Sequence, residues 1–290
     1  MSDQQSWYDW LMGCSGAAFA ASIDAEGWDP LAATPRDPET LARAARAAGI
    51  RLDPVAPPFD DELRPFVRAR IEEALDEKLP PLVRGIVGPP EFGLIVGCDE
   101  AGTTFECRTF FDKGAKPTRV GWDAFRDEDH GMPFFLDRAE PPARELLARE
   151  ALEGAVAGAG SSRAAQEAWI AALRDDARWS DPRHAGTAAF ADHAMRATLH
   201  DRRRSAARFL RGLRAVFPDA PGADLIVAAE AYGRAADAIA RGGLGPFDGG
   251  VATRFLDVGH RRGLANFLET ALGQEAAGLA AIADARAHIR

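Results

Sequence analysis

Trp7-Tyr8-Asp9-Trp10-Leu11-Met12-Gly13-Cys14-Ser15-Gly16-Ala17-Ala18-Phe19-Ala20 is the stretch on which the reading of the fold turns. An aromatic run leads into a cysteine, a small polar step and then an apolar run of helix formers. Residues 14–23 therefore read as the first helix, with Cys14 in its opening turn. A thiol in that position meets unpaired backbone N–H groups and the positive end of the macrodipole, both of which favour the thiolate. Cys14 is thus a candidate nucleophile. The plainer reading of the same residue is a small apolar side chain packed in a helix.

Working outward, Gly27, Pro30 and Pro35 punctuate a loop, and Asp37-Pro38-Glu39-Thr40 opens a second helix stopped by Gly49. Ile50 to Val55 reads as a short strand. Asp60 to Leu79 reads as an amphipathic helix with Leu63, Phe66, Val67, Ile71 and Leu75 on its apolar face. The period then changes. Pro81–Val87, Phe92–Cys98 and Thr103–Phe110 read as strands, with Asp99-Glu100-Ala101-Gly102 as a turn. Met132–Leu136 reads as a last strand, pushed toward a sheet edge by Pro133. Beyond Glu140-Pro141-Pro142 the pattern is helical and alanine-rich, with helices near 141–157, 162–178, 185–215, 221–241 and 250–288. The expected architecture is α+β: a first domain over 1–139, helix then antiparallel sheet, and an all-α domain over 140–290.

Composition bounds the function. The 290 residues carry a formal charge of −9, are 47% hydrophobic and 27% charged. An acidic chain argues against a nucleic-acid surface and against an anionic membrane surface. No stretch approaches the ~18 continuous apolar residues of a membrane span. Asp3 and the lack of a basic n-region predict no secretion signal, hence a cytoplasmic protein. Cys14, Cys98 and Cys107 match no zinc spacing and are expected as free thiols, and neither a metal site nor a cofactor is implied.

A cysteine nucleophile needs a base and a group that orients the base. The order of elements here, cysteine at a helix head and then strands, is that of a papain-like layout. Cys14-Ser15-Gly16-Ala17-Ala18-Phe19-Ala20 resembles the cysteine-bearing helix of papain-like, C39-type domains. Pro80–Gly85 and Phe92-Gly93-Leu94-Ile95-Val96-Gly97-Cys98-Asp99 resemble their paired strands. His200-Asp201-Arg202-Arg203-Arg204-Ser205-Ala206-Ala207-Arg208-Phe209-Leu210 is similar to the C-terminal helices of bacterial proteins with a butirosin-biosynthesis-H-type N-terminal domain. The resemblance implies an enzyme that moves an acyl group from a carrier-protein thioester to an amine through the cysteine. It places Cys14 at the nucleophile position, Glu91 where the histidine stands, and Asp112 at the orienting position.

Glu91 is the departure from that pattern. An ordinary carboxylate is a poor base for a thiol, and next to one it disfavours the thiolate. Either the thiol chemistry is lost, or a base comes from elsewhere, or Glu91 performs a different task. His130 is one replacement base. His193, Arg196, His200 and Arg203 or Arg204 recur at helical spacing and form one candidate face for an anion. Trp10 and Ser15 complete the candidate substrate-binding residues. Two functions follow: a cysteine-dependent acyl- or amide-handling enzyme acting on a small-molecule or acyl-carrier substrate, or an inactive papain-fold module holding a metabolite or partner in an interdomain cleft.

Overall fold

A computed structural model describes residues 3–33, 37–99, 101–112, 114–179 and 181–289. Pro35 and Glu100, read above as loop and turn positions, lie outside the described residues. The chain is mixed α and β, and by its internal contacts it divides into a helical unit, residues 1–47 with 142–290, and a sheet unit, residues 48–141.

Among the described residues the sheet unit holds six antiparallel strands: β1 (Ile50–Pro54), β2 (Leu82–Arg84), β3 (Phe92–Cys98), β4 (Thr104–Arg108), β5 (Thr118–Gly121) and β6 (Met132–Arg138). They are ordered β1-β6-β2-β3-β4-β5. Burial alternates along β3 and β4: Gly93, Ile95, Phe105 and Cys107 point inward, whereas Val96 is exposed. This is the period-2 signature of a sheet with one covered face. One helix, α3 (Leu63–Asp76), supplies Val67, Ile71 and Ala74 to the same core as Ile95, Phe105 and Phe135. Leu63 and Phe66, expected on its buried face, are 43% and 55% exposed. The helix is rotated so that the i, i+4, i+7 set beginning at Val67 faces inward.

Two strand expectations change. Pro133 does not mark an edge, because β6 lies between β1 and β2. The carbonyl of Pro133 accepts from Val55, just past the last β1–β6 register pair, Pro54 with Phe134. The nitrogen that lacks a proton faces that same side at the end of the β1 ladder, so only the return bond to Val55 is forgone. Strand β5 was not expected, since Thr118-Arg119-Val120-Gly121 is too short and too polar for alternation to register. Gly85 shows why a glycine is needed between β2 and β3: its φ is +61°, and a Cβ there would collide with the Asp129 carbonyl.

At the β3–β4 turn, Asp99 accepts from the Thr103 and Thr104 amides at 2.7 and 3.2 Å. These bonds hold its carboxyl down at about 2, below the ordinary 3.8. A depressed carboxyl contributes stability that is full above its unfolded value and lost as the pH falls through the folded one. Acid titration should therefore release the Thr103 amide over a window centred near pH 2, as followed by its NMR shift. Asp99→Asn should leave that resonance flat over the window; an unchanged titration in the variant would contradict this account of the turn.

The helical unit contains α1 (Asp3–Cys14), α2 (Pro38–Ala47), α4 (Arg144–Ala157), α5 (Ala159–Arg174), α6 (Pro182–Gly212), α7 (Asp219–Ala240), α8 (Gly249–Arg254) and α9 (Val258–His288). Helix α7 packs on both α6 and α9. Its buried face is mostly alanine, including Ala228, Ala229, Ala235 and Ala236, which lets helix backbones approach closely. Asp37, Asp181, Asp248 and Asp257 each accept from a backbone amide at a helix start. Asp257 is what divides the expected 250–288 helix into α8 and α9.

The first helix is the main correction. It precedes Cys14 rather than following it, ending at Cys14 itself. Gly16 stops it: its φ is +82° and its amide bonds back to the Gly13 carbonyl. Trp10, Cys14, Ala18 and Phe19 then join a core with Phe209 of α6 and Leu147, Ala148 and Leu152 of α4. Residues 1–47 thus group with the C-terminal helices, not with the sheet as a domain over 1–139 would have it. The apolar side chains of α1 have their partners on α4 and α6, so hydrophobic burial fixes the grouping.

Candidate functional site

The segment after α1 runs from Ser15 to Ala20 as consecutive turns rather than a continuous helix, and three arginines hold carbonyls along it. Arg43 Nε donates to Ser15 O at 2.9 Å. Arg203 Nη1 donates to Ala18 O and Ala20 O, both at 2.9 Å. Arg202 Nη1 reaches Ala20 O at 3.4 Å, and Ser162 Oγ donates to Phe19 O at 3.3 Å. Carbonyls that a helix would have used internally are satisfied by guanidinium groups instead.

This irregular segment walls a cavity of about 580 Å³ within the helical unit. Cys14, Ser22, Thr40, Arg43, Ser162 and Arg202 lie among its lining residues, along with Glu150 and several small residues of α4. The volume falls in the range of small-molecule sites, about 300–1,000 Å³. Its charges are mixed. Glu150 pairs with Arg46 at 2.5 Å, and Asp37 caps α2 while lying 3.7 Å from Arg43. Arg202 is 3% exposed, and burial, reinforced by neighbouring Arg203, pulls its guanidinium down to about 10.

Cys14 is the expected site residue that lines this cavity, but its setting opposes the expected chemistry. It is the last residue of α1, at the negative end of the helix, and it is 7% exposed. Burial pushes the thiol up to about 12; the charge of Arg144 offsets this in part, and Glu150 adds to it. The thiolate stabilisation expected from a helix head is therefore not available to it.

Glu91 and Asp112 belong to the sheet unit. The register of Leu94 with Arg108 puts the start of β3 and the end of β4, and hence both residues, at one end of the sheet. The backbone of Glu91 closes the β2–β3 connection, its carbonyl accepting from Gly85 at 2.8 Å. Asp112 accepts from Thr118 Oγ1 at 2.9 Å and from the Thr109 amide at 3.2 Å. The Thr118 bond leads the set that lowers its carboxyl below the ordinary value. Asp112 thus organises the β4–β5 connection. His130 bonds Asp127 at 2.8 Å within its own loop.

The expected helical face is turned into the helical unit. Arg196 pairs with buried Asp192 at 2.7 Å and donates to the Gly242 and Gly243 carbonyls that end α7. Arg203 is fully buried on Glu275. His193 lies 5.7 Å from the Phe247 ring, and burial lowers both its imidazole and that of His200. Trp10 is buried between Phe209 and the Arg144 guanidinium, and Ser15 bonds the Met12 carbonyl. None of these six positions, Arg196, Arg203, His193, His200, Trp10 and Ser15, lines the 580 Å³ cavity. Arg43, Arg202 and Ser162 do, and no local motif announced them; Arg202 lies beside the expected face at Arg203, but pattern alone could not tell which arginine would meet open space.

Among the described residues, no group of three or more histidine, cysteine, aspartate or glutamate side chains is placed to hold a metal ion. Likewise, no described helix is long and apolar enough to cross a membrane. Fold and site together define an α+β chain whose helical unit has a cavity lined by small apolar residues with Arg43, Glu150, Ser162 and Arg202 among them. No family model matches the chain, and no curated protein is significantly similar to it.

Proposed function

We propose that this chain is a small-molecule-binding module that holds a polar metabolite in the helical unit, with Cys14 as a protonated wall residue. The observation that carries this reading is the 580 Å³ cavity, with Arg43 and Arg202 on its wall. Those side chains also hold the segment that shapes the wall, so the lining is organised before a ligand arrives. A thiol at about 12 exposes about a thousandfold less thiolate at pH 7 than one at its ordinary 9.0.

The second reading is the cysteine-dependent acyl- or amide-handling enzyme with Cys14, Glu91 and Asp112, on a papain-like frame. What favours it is that the sulfur belongs to a cavity-lining residue. Alkylation separates the two. For the binding module, native protein at pH 7 should react with iodoacetamide at least a hundredfold more slowly at Cys14 than free cysteine does, read by peptide mass spectrometry. Reaction as fast as free cysteine, or faster, would overturn the binding reading and leave the acyl-transfer reading in place.

A further inference from the structure

A second cavity, of about 260 Å³, lies where the start of α5 meets the middle of α9. Phe19, Tyr232, Leu272 and Leu279 form an apolar wall, with the two rings edge to face at 5.4 Å. Gly160, Arg163 and Ala276 are exposed lining residues at its mouth. Glu275 also lines it and is 4% exposed. Both donors that reach this carboxylate use the same oxygen: Arg203 Nη2 at 2.7 Å and Gln166 Nε2 at 2.9 Å, each on Oε2. Glu275 Oε1 has no hydrogen-bond partner, and neither does the adjoining Gln166 Oε1. A buried acceptor of this kind is costly when left unmet. Two of them in one cluster beside an apolar cavity form a site that asks for a donor.

We propose that this cavity binds a small neutral molecule with an apolar body and one N–H or O–H donor, which bonds Glu275 Oε1. Neutrality follows from the charges present. Arg203 already balances Glu275, and Arg202 beside it adds positive field, so a cation entering the apolar wall would find no free negative charge to offset its desolvation. The volume admits roughly nine non-hydrogen atoms, at about 30 Å³ each. The site is independent of the thiol question: it shares Phe19, Ala155 and Ser162 with the larger cavity but not Cys14.

Indole, indene and benzylamine test the proposal, titrated at pH 7 into the full chain and followed by protein NMR. Indole has an N–H and no competing acceptor, indene is its near-isostere without the donor, and benzylamine is a cation. Indole should bind about tenfold more tightly than indene, and benzylamine more weakly than indole. Ala276→Phe, at an exposed position on the mouth, should abolish binding of all three without unfolding the chain. Glu275→Gln, which can present an amide N–H₂ where Oε1 stood, should erase the preference of indole over indene. Equal affinity for indole and indene, tighter binding of benzylamine, binding untouched by Ala276→Phe, or no binding of any probe would each overturn the proposal.

Discussion

Glu275→Leu should destabilise the chain by about 3–5 kcal/mol, because it strands a fully buried guanidinium. Arg203 is 0% exposed, and Glu275 is its single carboxylate partner among the described residues, at 2.7 Å. Breaking a buried pair from one side is costly, whereas replacing both partners with apolar groups is often neutral. Here full recovery is not expected. Arg203 also donates to the Ala18 and Ala20 carbonyls, and bonds from a charged donor contribute about 1.5–3 kcal/mol each. Arg203→Met/Glu275→Leu should therefore regain part of the loss, and Arg203→Met alone should cost at least as much as Glu275→Leu. Urea unfolding of the three variants measures this. A double variant as stable as the parent would show that the carbonyls at 18 and 20 do not need the guanidinium.

Phe209→Ala should cost about 3–5 kcal/mol, the range for emptying an aromatic from a packed core. Phe209 is 3% exposed and touches two rings of the N-terminal segment, Trp10 at 5.7 Å and Phe19 at 6.2 Å. A Cβ on Gly13 would collide with the same ring, so α1 and α6 meet there without slack. The loss should appear first as release of α1, read as faster proteolysis within residues 3–20 and faster amide exchange there. Gly13→Val, which overfills the contact, should act in the same direction by about 1–3 kcal/mol. Unfolding in which α1 stays protected while the rest of the helical unit opens would contradict this anchoring.

Much of the architecture was legible in the chain because it is written in local terms. An apolar run gave β3, alternation gave β4, Asp37-Pro38 and Gly49 gave the ends of α2, and alanine-rich periodicity gave the C-terminal helices. Strand β5 escaped because four residues carry no period, and Pro133 misled because its cost depends on which side of a strand its nitrogen faces, a property of register. At the site, only Cys14 was both expected and found on the cavity wall. Whether it heads or ends a helix turned on Gly16, whose left-handed φ stops the run before the apolar residues behind it can extend it.

The sequence by itself determined that the chain is α+β, that strands occupy its middle and helices its second half, and which segments are amphipathic. These follow from side-chain periodicity and backbone preference, which act over a few residues. Only the tertiary structure decided that residues 1–47 join the C-terminal helices, that the arginines at 196 and 203 turn inward onto Asp192 and Glu275, and that a cavity forms where three arginines hold an unwound segment. Those outcomes depend on pairings between residues as far apart as Phe19 and Ser162 or Ala18 and Arg203, and burial selects among such pairings only once the helices have met.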